Sequence, residues 1–182
     1  ESQVLNASPE GLRAADTDYP DRIVDRYTQL PGSTPDRVGN LTSQVTGGVD
    51  DPYDAAETIR RYLGEGKNYS LKVDRPEGNV ADAFLFEMRA GYCTYFATTM
   101  VTMLRSQGIP ARFVTGYMPG EGVGDGERIV RGQDAHAWVQ VYFPDHGWVD
   151  FDPTPAPERE AARERNLEGA GGSGTSGDGL GV

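Results

Sequence analysis

Cysteine is almost absent from this sequence, because its 182 residues contain only one, Cys93. A single cysteine excludes an internal disulfide, so the thiol is a buried apolar group, an intermolecular link or a reactive nucleophile. Histidine is nearly as rare, with His136 and His146 as its two representatives. Any site that needs an imidazole beside the thiol therefore has two candidate bases.

The sequence also lacks a basic cluster and long apolar runs. Its net charge is −11 and its pI is about 4.6, which argues against a nucleic-acid binder, since these proteins need a basic face. No apolar run approaches the roughly 18 residues that a membrane-spanning helix needs. The first residue is Glu1 and not Met, and we expect no signal peptide within these residues. We therefore expect a piece cut from a longer protein.

Length and composition predict one globular domain with flexible ends. Residues 1–18 show no clear period and are expected to form an extended lead-in segment. Residues 19–156 carry the apolar pattern of the folded domain. Residues 157–168 are polar and predict a helix or linker, whereas the Gly-rich residues 169–182 predict a flexible tail that cannot bury a core.

Apolar residues recur at helical spacing through much of the first half of the domain. Helices are predicted over residues 19–32, 33–48 and 50–66, with a short helix or turn over 79–91 and a longer helix from Cys93 to about Gln107. Thr34 and Asp51 are the predicted N-caps of the second and third helices, and Gly64 is the predicted end of the third.

Strand patterns dominate the second half of the domain. Strands are predicted over residues 67–74, 111–118, 135–143 and 147–153, with a Gly-rich and acidic loop over 119–134. Helices followed by strands indicate an α+β fold with a largely antiparallel sheet.

Cys93 is predicted to lie in the first turn of its helix, directly after Gly91 and Tyr92. The partial positive charge and unpaired N–H groups of a helix N-terminus favour a thiolate, which is the nucleophilic form of cysteine. Gly91 allows a tight turn just before the thiol, so that the sulfur can point into a cleft. The position therefore favours a reactive thiol over a merely packed one.

A thiol nucleophile needs a base, and the two histidines differ in context. His136 lies on a predicted strand, where a buried structural imidazole is the common alternative. His146 lies in the turn "PDHG", where a solvated surface group is the usual outcome. We favour His136, because the next strand carries carboxylates that can orient its ring.

Asp150 and Asp152 are two residues apart on that next strand and so share one of its faces. A hairpin turn over residues 144–147 would set the two strands antiparallel and bring Asp152 nearly opposite His136. Asp150 would then lie nearer Gln140, as an ordinary surface acid. Asp152 is therefore the predicted partner that orients the imidazole and stabilises its charged form.

These motifs resemble the transglutaminase-like superfamily, and more closely the extracytoplasmic domain of membrane-anchored bacterial transglutaminase-like proteins. The matching stretches are "FLFEMRAGYCTYFATTMVTMLRSQGIPARFVTGY", "HAWVQVYFPDHGWVDFDPTP" and, more weakly, "DYPDRIVDRYTQLPGSTPDRV". The resemblance implies a papain-like core, with N-terminal helices and a nucleophile-bearing helix packed on an antiparallel sheet. It also implies a catalytic triad in which Cys93 is the nucleophile, His136 the base and Asp152 the acid of the "DPT" motif.

The oxyanion formed in such a reaction needs hydrogen-bond donors. The backbone N–H of Cys93 is one candidate, and Tyr69 on the preceding strand is the candidate side-chain donor. The glutamine that papain-type enzymes place six residues before the nucleophile is replaced here by Glu87. No metal or other cofactor is predicted, because the acidic stretch 121–127 lacks the spacing of a calcium-binding loop.

The predicted function is thiol-dependent acyl transfer on peptide-like amides through a thioester. The expected partner is a peptide or protein substrate, and not nucleic acid, at the extracytoplasmic face of the cell membrane, with anchoring segments elsewhere in the parent protein. The first alternative is a cysteine peptidase or amidase that hydrolyses peptide or cell-wall peptide bonds. The second is a non-catalytic module that binds a peptide or partner on the same fold.

Overall fold

Helices precede the sheet along the chain in the computed structural model, which describes residues 8–49, 51–124 and 126–157. The helices are α1 (Pro9–Arg13), α2 (Asp21–Tyr27), α3 (Asp36–Val45), α4 (Pro52–Gly66), α5 (Val80–Phe86) and α6 (Cys93–Ser106). The strands are β1 (Asn68–Tyr69), β2 (Ala90–Gly91), β3 (Ala111–Tyr117), β4 (Glu121–Gly124), β5 (Glu127–Ile129), β6 (Ala135–Phe143) and β7 (Gly147–Phe151).

The main sheet has the strand order β3-β6-β7 and is antiparallel throughout. Its register pairs Gly116 with His136 and Gln140 with Asp150. A two-residue parallel ladder joins β1 to β2, and β4 pairs with β5 in a separate hairpin. The α+β class with an antiparallel sheet, which the order of sequence patterns predicted, is confirmed.

Helix α6 lies at the centre of the apolar core. Its buried side chains meet one face of β6 and the apolar stripes of α4 and α5; the fully buried members include Ile59, Leu63, Phe84, Phe96, Met100, Met103, Leu104, Val139, Val141 and Phe143. Burying each large side chain stabilises the fold by roughly 1.5–3 kcal/mol. This packing fixes the axis of α6, and with it the position of Cys93 at the first turn.

Several predicted helix boundaries were wrong. Thr34 is not an N-cap: Pro35 is still extended, and the Thr34 hydroxyl instead accepts a hydrogen bond from the Asn79 side chain at 3.1 Å. Gly64 does not end α4, which continues to Gly66. A side chain at Gly64 would lie 3.4 Å from the Pro153 carbonyl oxygen, so glycine there allows the helix to approach the segment after β7. The Asp51 cap is confirmed, since its side chain accepts the Asp54 N–H at 2.9 Å.

The expectation of an extended lead-in over residues 1–18 was wrong for Pro9–Arg13, which form α1. Ser8 caps this helix by accepting the Gly11 N–H at 3.1 Å, and Pro9 occupies its first turn. Residues 1–7 and the predicted helix or linker and tail over residues 158–182 lie outside the described part of the chain.

Two strand predictions also need correction. The strand predicted over residues 67–74 is limited to Asn68–Tyr69. The predicted loop over residues 119–134 contains the β4–β5 hairpin, whose strands are too short for their alternation to be detected. No helix in the described ranges is long and apolar enough to cross a membrane.

Gly91 provides a test of packing immediately before the thiol. A side-chain carbon there would lie 2.8 Å from a Phe84 ring carbon and 2.9 Å from Tyr95 Cβ. We expect Gly91→Ala to lower the free energy of unfolding by roughly 1–3 kcal/mol through overpacking. Gly66→Ala is the control, because its added methyl group meets open space and should leave stability within about 1 kcal/mol of wild type. Urea denaturation measures both, and equal midpoints for the two variants would contradict this account.

Candidate active site

Three side chains from three different elements meet at one end of the main sheet. Cys93 opens α6, His136 lies near the start of β6, and Asp152 directly follows β7. The β6–β7 hairpin brings the last two together, and the packing of α6 against β6 brings the thiol to the imidazole. The three residues selected from the sequence are therefore close in space, although 59 positions separate the first from the last.

The His136–Asp152 hydrogen bond is short and its imidazole is nearly enclosed. His136 Nε2 lies 2.7 Å from Asp152 Oδ2, and the side chain of His136 is 3% exposed against 35% for Asp152. The second carboxylate oxygen of Asp152 accepts the backbone N–H of Thr154 at 3.0 Å. Both oxygens are therefore engaged, which limits rotation of the carboxylate and of the ring that it holds.

The predicted register of Asp152 was close but not correct. Asp150 pairs with Gln140, as predicted, and Phe151 pairs with Val139. If the ladder continued by one pair, Asp152 would lie opposite Trp138 and not opposite His136. The carboxylate instead reaches His136 diagonally across the end of the hairpin, a geometry that cross-strand neighbours permit.

Hydrogen bonding raises the pKa of the His136 imidazole by more than burial lowers it. Burial alone would lower the pKa of His136, but hydrogen bonds with Asp152 and Cys93 raise it to about 9. Because Nε2 faces Asp152, Nδ1 is the ring nitrogen left for the thiol. The protonated ring can donate from both nitrogens, so it is stabilised on both sides.

The pKa of the Cys93 thiol shifts in the opposite direction, downward. Burial raises the pKa of Cys93, yet the hydrogen bond with His136 and backbone hydrogen bonds from Ala137 and Thr94 bring it below its ordinary value. For Asp152, burial again favours the neutral form, and hydrogen bonds with His136 and Thr154 lower its pKa. These shifts favour a thiolate, an imidazolium and a carboxylate in a row, which is the ionisation state suited to nucleophilic attack.

A cleft of about 530 Å³ opens at the thiol. Cys93 and His136 line it together with aromatic and apolar side chains that include Tyr69, Leu71, Tyr92, Tyr117 and Met118. Such a cleft has the size and the mixed apolar and polar lining of a ligand-binding site.

Tyr69 enters the cleft through the short β1–β2 ladder. It pairs with Gly91, two residues before Cys93, so β1 runs beside the entrance to α6. Glu87 is not among the residues that line the cleft, and its carboxylate lies 3.4 Å from the Arg37 guanidinium. The residue that replaces the papain-type glutamine thus has a partner of its own.

His146 does not join Cys93. It lies in the turn between β6 and β7, and its ring is next to Gly11 of α1. A side-chain carbon added at Gly11 would lie 3.5 Å from that ring. Within the described ranges, no group of three or more His, Cys, Asp or Glu side chains has an arrangement that could hold a metal ion.

Two further residues beside the site, Trp138 and Thr154, are not among those selected from the sequence. Trp138 is only partly buried, and its indole lies nearly parallel to the His136 ring, at 17° with 6.3 Å between ring centres. The available signal was the spacing of two residues from His136, which places both rings on one strand face. The signal for Thr154 was its position two residues after Asp152, where Asp commonly accepts a backbone hydrogen bond.

Comparison with known proteins gives a consistent result. A sequence model described as the transglutaminase-like superfamily matches residues 39–153. The chain is 37% identical to a protein-glutamine gamma-glutamyltransferase of Pseudomonas aeruginosa over 170 residues, which are 91% of this chain and 25% of that protein. It is 41% identical to the uncharacterized protein YebA of Bacillus subtilis over 139 residues, which are 71% of this chain and 19% of that protein. The chain thus spans about a quarter or less of these relatives.

The periplasmic domain of TgpA from Pseudomonas aeruginosa is a similar solved structure. The two chains superpose with a TM-score of 0.70 at 35% sequence identity, over 81% of this chain and 53% of that one. The likeness of fold therefore extends through both the helical half and the sheet.

Replacing Asp152 should change the pH dependence of stability. The pKa of His136 is raised to about 9 from an ordinary value of 6.5, so the stabilisation from its protonation is complete below about pH 6.5 and is lost as the pH rises through about 9. The pKa of Asp152 is lowered in the folded protein. Its ionisation therefore contributes stability at pH values above the ordinary Asp pKa of about 4, and this contribution is lost at lower pH. We expect Asp152→Asn to destabilise most between about pH 5 and pH 6.5 and progressively less toward pH 10.

Urea denaturation across this range measures the difference in free energy of unfolding. Asp25→Asn on α2 is the control, because Asp25 is exposed and remote in sequence from the site, so its difference from wild type should stay flat. A difference for Asp152→Asn that stays constant with pH would contradict the proposed charge state of His136.

Proposed function

Because the chain belongs to the transglutaminase-like superfamily, we propose that it catalyses acyl transfer from peptide-like amides through a catalytic triad of Cys93, His136 and Asp152. The observation that carries this proposal is the alignment of a thiol, an imidazole and a carboxylate beside an open cleft. Each has its pKa displaced toward the charge that the reaction needs.

The reaction has two halves. The Cys93 thiolate attacks the carbonyl carbon of a side-chain amide, and the tetrahedral intermediate collapses to a thioester as ammonia leaves with a proton from the His136 imidazolium. An acceptor amine then attacks the thioester, His136 takes up its proton, and the thiolate is released. Asp152 stabilises the imidazolium before ammonia leaves and after the amine loses its proton.

Hydrogen-bond donors must stabilise the oxyanion of each tetrahedral intermediate. We assign this role to the backbone N–H of Cys93 and to the Tyr69 hydroxyl. The N-terminal end of α6 supports the first donor, because its field favours negative charge. The register of Tyr69 with Gly91 and its position in the cleft lining support the second.

Transfer and hydrolysis share the same thioester, and water in place of the amine would yield a carboxylate. The name of the Pseudomonas aeruginosa relative, a protein-glutamine gamma-glutamyltransferase, supports an amine acceptor and a glutamine side chain as acyl donor. Peptide or protein substrates are the corresponding partners. The resemblance to a periplasmic domain supports a position outside the cytoplasm. Anchoring of the parent protein in the membrane is part of the same proposal and rests on the family resemblance of the motifs.

Alkylation of Cys93 tests the activated pair directly, because no other cysteine can contribute to the signal. We expect iodoacetamide to react rapidly with the wild-type protein well below the ordinary thiol pKa of about 8.5. His136→Ala should abolish this low-pH reaction, since the thiolate loses its cationic partner.

His146→Ala is the matched control, because it removes the other imidazole without touching the cleft. Rates measured by mass spectrometry from pH 4 to pH 10 should show this variant behaving as wild type. An ordinary thiol profile in the wild-type protein, unchanged in His136→Ala, would refute the catalytic proposal and favour the peptide-binding alternative.

Tyr69→Phe tests the oxyanion assignment. We expect kcat for ammonia release from a glutamine peptide, with a primary amine as acceptor, to fall roughly 100-fold while KM changes little. Alkylation of Cys93 should keep its wild-type rate, because displacement of iodide forms no oxyanion. Tyr117→Phe removes a hydroxyl from another part of the cleft lining and should retain activity. Equal activity in both variants would exclude Tyr69 as a donor.

A further inference from the structure

We propose that Asp150 is a positioning residue that holds Trp138, and through it His136, in the orientation that faces both Cys93 and Asp152. This inference rests on the proposed function, since it assigns a support to the proposed base. Asp150 itself lies outside the cleft lining and is exposed to solvent. An exposed acid is ordinarily a solvated surface group, but the Asp150 carboxylate has specific hydrogen-bond donors on β6.

One oxygen of Asp150 accepts two hydrogen bonds from the same face of β6. Trp138 Nε1 donates to Oδ1 at 3.0 Å, and Gln140 Nε2 donates to the same oxygen at 2.8 Å. Gln140 is the direct cross-strand neighbour of Asp150, whereas Trp138 is the diagonal neighbour on the side toward His136. The carboxylate therefore contacts Trp138 and Gln140, which are the next two residues after His136 on the same face of β6.

The indole of Trp138 is confined by its other contacts. A side-chain carbon at Gly116 would lie 2.7 Å from the far edge of the indole, so this ring lies against the bare backbone of β3. Gly116 is also the residue that pairs with His136 across the sheet. The indole thus lies with its far edge against the backbone at Gly116 and its N–H bonded to Asp150, and these two contacts fix its rotation.

The hydrogen-bonded chain continues away from the cleft. Gln140 accepts a hydrogen bond from Arg112 Nε at 2.8 Å, and the Arg112 guanidinium lies over the Trp148 ring at 4.2 Å. Trp148 packs edge-on against Tyr27 of α2, with ring centres 4.7 Å apart. Asp150 is therefore tied to a wider set of partly buried side chains, which limits its movement more than exposure alone would suggest.

The consequence for His136 follows from the parallel rings. The imidazole must present Nδ1 to the thiol and Nε2 to Asp152 at the same time, which only a narrow range of ring rotation allows. Trp138 lies nearly parallel to the imidazole on the same strand face, with 6.3 Å between ring centres, so an indole fixed there limits the rotation of its neighbour. Loss of the Asp150 acceptor would free the indole and widen the range open to the imidazole.

Two substitutions at Asp150 distinguish the effect of its hydrogen bond to Trp138 from the effect of its negative charge. Asp150→Asn keeps an acceptor oxygen for Trp138 but removes the negative charge, whereas Asp150→Ala removes both. We expect the rate of Cys93 alkylation by iodoacetamide at pH 6 to fall about fivefold in Asp150→Ala, the size of effect expected for one lost hydrogen bond. Asp150→Asn should stay within about twofold of wild type.

Trp138→Phe completes the test, because it keeps an aromatic ring and removes the N–H donor. It should match Asp150→Ala, and the double variant should be no slower than either single one, since both remove the Trp138–Asp150 hydrogen bond and the Gln140–Asp150 bond that Asp150→Ala also removes does not involve the indole. Asp25→Ala also removes an exposed carboxylate, but one on α2, and as the control it should alkylate at the wild-type rate. Thermal unfolding of each variant establishes that the protein is folded at the assay temperature.

Equal slowing in Asp150→Asn and Asp150→Ala would overturn the proposal, because charge and not position would then be responsible. Wild-type rates in Asp150→Ala and Trp138→Phe would also overturn it. Failure of the proposed function looks different, because the wild-type protein itself would then alkylate as an ordinary thiol at every pH.

Discussion

The hydrogen bond between His136 and Asp152 is the interaction on which the site depends. It takes up Nε2 at 2.7 Å, leaves Nδ1 for the thiol, and favours the protonated ring against the effect of burial. The lowered pKa of Cys93 depends in turn on the hydrogen bond with that ring. A β-hairpin can hold His136 and Asp152 together, because ladder hydrogen bonds keep its two strands in one register. The side chains at the end of the hairpin are therefore held at fixed positions relative to each other.

The helix that carries the thiol is held by a different physical effect. Burial of its apolar side chains against β6, α4 and α5 sets its position, while Cys93 at its first position stays half-buried at the cleft. Close packing near the site needs residues without side chains, and Gly91 and Gly116 meet this need beside Cys93 and opposite His136. The core and the site are thus parts of one packing arrangement, and a change in either is expected to affect the other.

Sequence patterns predicted the longer elements better than their ends. Helix α6 was predicted from Cys93 to about Gln107 and extends to Ser106, because four turns of apolar spacing give a strong signal. Thr34 was misassigned because Pro35 stays extended and α3 begins one residue later, and Gly64 because α4 continues for two more residues. The hairpin in residues 119–134 was missed because strands of three and four residues carry almost no periodicity.

The sequence by itself determined the candidates for the site. With one cysteine and two histidines, and with Asp152 on the predicted strand that follows the strand of His136, few combinations remained, and the motifs around them were sufficient to indicate the family. Only the tertiary structure decided that Asp152 reaches His136 diagonally, and that Trp138 lies beside the imidazole and donates a hydrogen bond to Asp150. Such contacts depend on strand register and side-chain packing between residues distant in the chain, and local periodicity contains no information about them.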